Sequence, residues 1–226
     1  MREFTLDARL AACAAFVRPG SRLADIGTDH GYLPIRLLLD GVVPSAIAAD
    51  IRPGPLSSAK ENALHYGVLE RMDCRLSDGL ALVKDGEVDD ITIAGMGGEL
   101  ILRILTDAPW ACKKGMRLIL QPMTMAPELR RGLLKLGMEI TEEVAVSAAG
   151  RVYSVLCVEK NEKMEEHDLV WEYMGKLLPG GEESAVYACR VLTSLKAKEG
   201  GLRHTGDTEQ ADALLKIQEQ IAQRYC

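Results

Sequence analysis

The chain has 226 residues, 47% hydrophobic and 27% charged, with a net charge of -6. That excludes wholesale disorder and allows one large domain with a core, or one domain plus a small appendage. Aromatics are only 4%, so the core is expected to be aliphatic, and six cysteines stand singly at 13, 74, 112, 157, 189 and 226. They have neither metal-ligand spacing nor the density of a disulfide framework. No apolar run is long enough to span a bilayer, and the start, with Glu3 and Asp7, lacks an apolar secretion core. A cytoplasmic chain with reduced thiols and no metal is the expectation. Its acidity argues only weakly against nucleic acid, because a total can hide a local basic patch.

Residues 5–17 have helical periodicity and stop at Pro19-Gly20. A rhythm then begins. Short apolar runs over 22–26, 46–51, 74–76, 90–94 and 116–120 alternate with helical stretches over 32–39, 55–66, 99–105 and 126–136. Such alternation predicts βαβ units and a mostly parallel sheet with both faces covered. Residues 139–146 and 152–159 are separated only by a short Ala-Ala-Gly turn, which predicts a hairpin and one antiparallel strand. From about Asn161 the pattern changes to a charged stretch, a short helix over 169–178 and two amphipathic helices over 185–198 and 211–225, with a Gly-rich turn (EGGLRHTGDT) between them. This predicts an α/β domain over 1–160 and a helical hairpin over 161–226, with net charges of -2 and -4.

The loop after the first strand, in LADIGTDHGYLPI over 23–35, reads D-x-G-x-x-x-G rather than the dinucleotide spacing G-x-G-x-x-G. Gly27 and Gly31 allow a ligand to approach the backbone behind Asp25, while Asp29 inside the loop would repel a pyrophosphate. An acidic loop tolerates a ligand carrying an amino group and a sulfonium, as S-adenosylmethionine does. Taken alone, a glycine pair is more often an ordinary strand–helix turn. Three more strand ends change the balance. Asp50 lies 23 residues beyond Gly27, where a carboxylate can accept ribose hydroxyls; the competing role is a helix N-cap, which Pro53 and Pro55 oppose by placing the helix start later. Asp78-Gly79 can accept an adenine amino group or cap a helix equally well. Ala94-Gly95-Met96-Gly97-Gly98 bares backbone against a flat ligand, or is a flexible turn. Four Asp- or Gly-bearing strand ends on one sheet edge fit a nucleoside cofactor better than chance turns.

DIGTDHGYLP, AGMGGELI and RLILQP, in this order, resemble the bacterial TrmK family of tRNA adenine-22 N1-methyltransferases. The resemblance covers about residues 5–160. It implies a class I, Rossmann-like methyltransferase domain followed by a helical, coiled-coil-like region, with tRNA as partner and S-adenosylmethionine as cofactor. The implied cofactor residues are Asp25, Gly27, Asp29, Asp50, Asp78, Ala94, Gly95, Met96 and Gly97, and the neighbouring Thr28, Gly31 and Gly79 complete the expected cofactor set. Where the family has Asn after Gln-Pro, this chain has Met123.

Adenine N1 attacks through an in-plane lone pair, so alignment is the main task, and positive charge spreads toward N6. A carboxylate accepting from N6 would stabilise that charge; Asp29 is the candidate, with the carbonyls around Gly95 and Met96 as alternatives. His30 can contact phosphate or base, or simply pack. Tyr32 can stack on a base, though a core-facing Tyr is commoner. Lys113, Lys114, Arg117, Arg130 and Arg131, with Arg190, Lys196, Lys198 and Arg203 on the tail, are candidate phosphate contacts; charge pairs of this kind are more often a solvated face. Other readings are a methyltransferase for a protein or small molecule, a non-catalytic nucleotide- or RNA-binding module, and an NAD-linked dehydrogenase, the last disfavoured by the loop spacing.

Overall fold

The computed structural model describes residues 4–161 and 167–226. Most of the charged stretch after Asn161, and Glu3, lie outside the described residues. Asp7 caps the first helix, α1 (Ala8–Phe16), by accepting the Leu10 N–H at 2.8 Å. The strand–helix alternation follows: β1 (Leu23–Ile26), α2 (Tyr32–Leu39), β2 (Ala46–Asp50), α3 (Pro53–His65), β3 (Met72–Leu76), β4 (Asp90–Gly97), α4 (Gly98–Asp107), β5 (Arg117–Thr124) and α5 (Ala126–Lys135). The hairpin is β6 (Met138–Ala148) and β7 (Arg151–Lys160). The seven strands lie in the order β3-β2-β1-β4-β5-β7-β6, and β7 runs antiparallel to both of its neighbours. The sequence therefore gives the right sheet, with one reversed strand.

Side-chain alternation divides the core between the two faces. Ala24, Ile26, Ile91, Ile93, Leu118 and Leu120 point to the side covered by α4 and α5. Leu23, Ala46, Ala48 and Ile119 point to the side covered by α1, α2 and α3. A third apolar cluster, with Tyr187, Leu195, Leu214 and Ile221, lies in the tail and takes in Val152 of β7. The tail comprises α6 (Leu169–Met174), α7 (Glu182–His204) and α8 (Thr208–Tyr225).

Among the boundaries that differ from expectation, three have a clear physical cause. The second crossover helix starts at Pro53, not Pro55, because a proline at the first helical position gives up an N–H that has no partner there anyway. The fourth strand does not stop at Gly95: it continues to Gly97, with irregular register at Met96, because β5 runs on to Thr124 and offers it a partner. The Gly-rich stretch after 198 is mostly helix, since α7 runs through Gly200 and Gly201 to His204. Each glycine costs about 1 kcal/mol in a helix, and the apolar contact with α8, to which Leu202 contributes, outweighs it. In β6 one extra residue, Thr141, bulges between Ile140, opposite Val158, and Glu142, opposite Cys157.

Candidate active site

Loops that follow parallel strands share one edge of the sheet, and ligands bind there. Here they enclose a cavity of about 640 Å³, within the size range of small-molecule sites. Its lining runs along the strand order, from Asp78 and Gly79 after β3, through Asp50, Asp25 and the Gly27–Asp29 loop, to Ala94, Gly95 and Met96 on β4. Every expected cofactor residue except Gly31 and Gly97 lines it. Those two flank it: Gly31 caps α2 and Gly97 caps α4.

Asp50 is 4% exposed and is not a helix cap. Its Oδ1 accepts the Arg52 N–H at 2.9 Å and its Oδ2 the Asp29 N–H at 3.3 Å. A carboxylate has about four lone-pair sites, so backbone amides fix its direction and acceptor capacity remains for a ligand. Asp25, at the end of β1, accepts the Thr28 hydroxyl at 2.7 Å. Burial pushes its carboxyl up to about 6, with the Asp50 charge adding to the rise and the Thr28 bond opposing it. Asp78 pairs with Arg103 at 2.9 Å at the pocket mouth. Asp29 is exposed; its carboxylate lies 3.7 Å from His30 Nε2 and 3.9 Å from Arg52 Nη2. His30 stacks on Tyr32, which meets Phe4.

Gly27 and Gly95 both need the left-handed region, at φ 72° and 79°. A Cβ at Gly27 would strike the Met96 methyl, and one at Gly95 would lie 3.2 Å from Arg9 Nη1. Among the described residues, Asp29, Met125 and Ala149 are the non-glycine positions with positive φ. Asp29 and Ala149 line the cavity, so backbone strain collects where ligands would bind.

A methyltransferase-domain family model matches residues 6–156. The tRNA (adenine(22)-N(1))-methyltransferase of Bacillus subtilis is 35% identical over 222 residues, covering 96% of this chain and 93% of that protein. The chain belongs to the TrmK family of tRNA methyltransferases. The crystal structure of the B. subtilis m1A22 tRNA methyltransferase TrmK superposes with a TM-score of 0.81 at 31% identity, over 98% of this chain and 96% of that one. TrmK of M. capricolum, in complex with S-adenosyl-homocysteine, gives 0.83 at 25% identity, over 97% and 99%. Membership thus extends through the tail, beyond the 160 residues that carry the sequence motifs.

Of the expected cations, Arg130 needs correction within this TrmK fold, and the partners of several others are defined. Arg130 is fully buried and cannot touch RNA: it donates to Glu143 at 2.5 Å and to the Glu172 and Tyr173 carbonyls. Burial alone would lower its pKa, and the neighbouring Glu143 charge more than reverses this, raising it. Arg131 is paired with Glu172 at 2.9 Å. Lys113 and Lys114 precede β5, and a loop entering a parallel strand lies at the edge opposite the cavity; Lys113 pairs there with Asp85. Arg117 is held by Glu159 and the Phe16 carbonyl. On the tail, Arg203 pairs with Glu199 and Asp212, and Arg190 donates to the Val152 carbonyl. Arg190 and Lys198 also line a smaller cleft of about 250 Å³ beside the main cavity, and Met123 lies in both.

Sequence reasoning missed Asp7, Arg9, Arg52, Arg103, Ala149 and Tyr153 as lining residues. It also gave Gln121 no role beyond a motif letter. Gln121 is fully buried, and its Oε1 accepts both the Gly95 N–H at 3.1 Å and Arg9 Nη1 at 2.8 Å. No helix among the described residues is long and apolar enough to cross a membrane.

Proposed function

We propose that this protein methylates N1 of adenine in tRNA, at position 22 as in its B. subtilis relative, with S-adenosylmethionine as methyl donor. The observation that carries the reading is the convergence of four consecutive parallel strand ends, bearing Asp or Gly, on one cavity of cofactor size. The residues fit the cofactor: the carboxylates of Asp25 and Asp29 suit a cationic donor where a pyrophosphate would be repelled. In this reading residues 1–160 form the cofactor-binding domain and 161–226 a helical, coiled-coil-like C-terminal region.

Bound at this edge, S-adenosylmethionine supplies an electrophilic methyl group on a sulfonium. Asp50 holds the ribose hydroxyls with its remaining lone pairs, and Asp78 accepts the adenine amino group of the cofactor. The Gly27–Gly31 loop, with Thr28, cradles the methionine end, and the Ala94–Gly97 backbone flanks the reacting atoms. The N1 lone pair would form the new bond to the methyl carbon while the carbon–sulfur pair left with sulfur, so no residue of this chain need remove a proton first. Positive charge passes to the adenine ring, where Asp29 accepts an N6 hydrogen and stabilises it. A paired adenine must leave its helix to expose N1.

Incubation with labelled S-adenosylmethionine and bulk tRNA, followed by nucleoside analysis, should yield 1-methyladenosine; label in protein or small molecules alone would reject the reading. Asp29→Asn keeps size and one acceptor oxygen but removes the charge. At saturating cofactor and tRNA, single-turnover methylation should fall by roughly one to three powers of ten. Full rescue by saturation would reduce Asp29 to a cofactor contact.

A further inference from the structure

The cavity has two ends. The β3–β2 end carries Asp78 and Asp50; the other, beneath β4 and β5, carries Asp7, Arg9, Met123, Ala149 and Tyr153. The second end remains for the acceptor once a cofactor occupies the first. Two groups there are held in fixed positions. Asp7 Oδ1 is committed to capping α1, while its Oδ2 lies 3.4 Å from Arg9 Nη2 on a side chain half exposed to the cavity. Arg9 is 20% exposed. Its Nη1 is anchored on Gln121, whose amide cannot flip, because Oε1 serves two donors and Nε2 donates to the Pro122 carbonyl at 2.9 Å. The same Nη1 lies over Gly95, on the strand end that flanks the reacting atoms.

A carboxylate oxygen beside a guanidinium presents an acceptor and a donor side by side. Adenine offers the complement on one edge: the N6 amino group donates and N7 accepts. We propose that Asp7 and Arg9 read this edge of the target base, Asp7 Oδ2 accepting the N6 hydrogen on the N7 side and Arg9 donating to N7. This rests on the methyltransferase reading above. N1 lies on the neighbouring edge and stays free to attack, and the second N6 hydrogen stays free for Asp29. Guanine would place the O6 acceptor against the Asp7 carboxylate, so the pair selects adenine by repulsion as well as attraction. As charge spreads to N6 during transfer, the Asp7 contact strengthens; the Arg9 contact to N7 does not, and acts in binding.

The test uses the full chain and tRNA carrying 7-deazaadenosine at the methylated position, which replaces the N7 acceptor by C–H; the Arg9 variants below separate loss of that contact from the change in N1 basicity. With wild-type protein, 7-deaza tRNA should lose about 10- to 100-fold in kcat/KM, mostly through KM. Arg9→Gln should lose a similar factor on natural tRNA and show no further loss on 7-deaza tRNA; Arg9→Lys, which keeps the charge without the fork, should fall between. Asp7→Asn keeps a good helix cap and should lower single-turnover rate about tenfold, with S-adenosylmethionine affinity unchanged by calorimetry. Natural tRNA left unmethylated by wild-type protein would overturn the functional reading and this inference with it. Active wild-type protein that uses 7-deaza tRNA as well as natural tRNA, or an N7 effect that persists in Arg9→Gln, overturns the base-reading role alone.

Discussion

The carboxylates of the cavity and the Arg130–Glu143 pair beneath the tail are both charge held at the margins of one sheet, in opposite ways. Asp50 ends one parallel strand and Asp78 follows another, close in sequence to the turns that position them, and both face a cavity. Arg130 and Glu143 come from a helix and a strand, are both fully buried, and spend themselves on each other and on the tail. Arg130 bonds the Glu172 and Tyr173 carbonyls and the Tyr187 hydroxyl, while Glu143 Oε2 takes the Lys176 N–H at 3.0 Å. Gly175 packs so closely on both that any Cβ there would collide with them. Charge in a loop after a strand is available to a ligand; charge sealed under a joint holds the joint.

Substitutions should separate the two kinds of site. Arg130→Met leaves Glu143 buried without its partner, and urea unfolding should show a loss of about 3–5 kcal/mol. A loss below about 1 kcal/mol would place the joint among ordinary surface pairs. Asp50→Ala should do the reverse: S-adenosylmethionine affinity, measured by calorimetry, should fall by about 1–3 kcal/mol, with little change in stability. Asp25→Asn gives the smallest effect and the one with a pH signature. The folded-state carboxyl titrates near 6 against an ordinary 3.8, so between about pH 4 and 6 the folded chain holds a proton that the unfolded chain has released. Stability therefore falls as pH rises through that window. Wild-type protein should lose about 1–2 kcal/mol relative to Asp25→Asn between pH 4 and pH 7. The full shift is not expected, because at pH 4 the unfolded carboxyl is already about half ionised and part of the difference lies below that pH. Parallel unfolding curves at both pH values would remove the titration from Asp25.

The same contrast explains what the sequence made legible. Asp25, Gly27, Asp50, Asp78 and Gly95 were readable because each ends an apolar run, and parallel topology carries all such ends to one edge. Arg130 read as half of a basic pair with Arg131, because its partner sits on a strand 13 residues away and no local pattern marks a glutamate as buried. Arg9 and Asp7 read as parts of an amphipathic helix. Their place in the cavity depends on Gln121, 112 residues further on, and no spacing rule joins them. Gly200 and Gly201 read as a turn because local propensity takes no account of the helix that packs against them.

The bulge at Thr141 sets the phase of the reversed hairpin. Its tip fixes the count from one end, pairing Ala148 with Arg151 and Val144 with Val155. Its base fixes the count from the other, pairing Ile140 with Val158. Between them the extra residue brings Glu143, rather than Glu142, opposite Leu156, and so onto the face that meets α5. Two successive glutamates thus compete for Arg130, and a single backbone insertion decides between them. Deleting Thr141 would remove the extra residue and leave both counts satisfied, with Ile140 opposite Val158, Glu142 opposite Cys157 and Glu143 opposite Leu156, so Glu143 would keep Arg130 and the hairpin tip beside the cavity would keep its register.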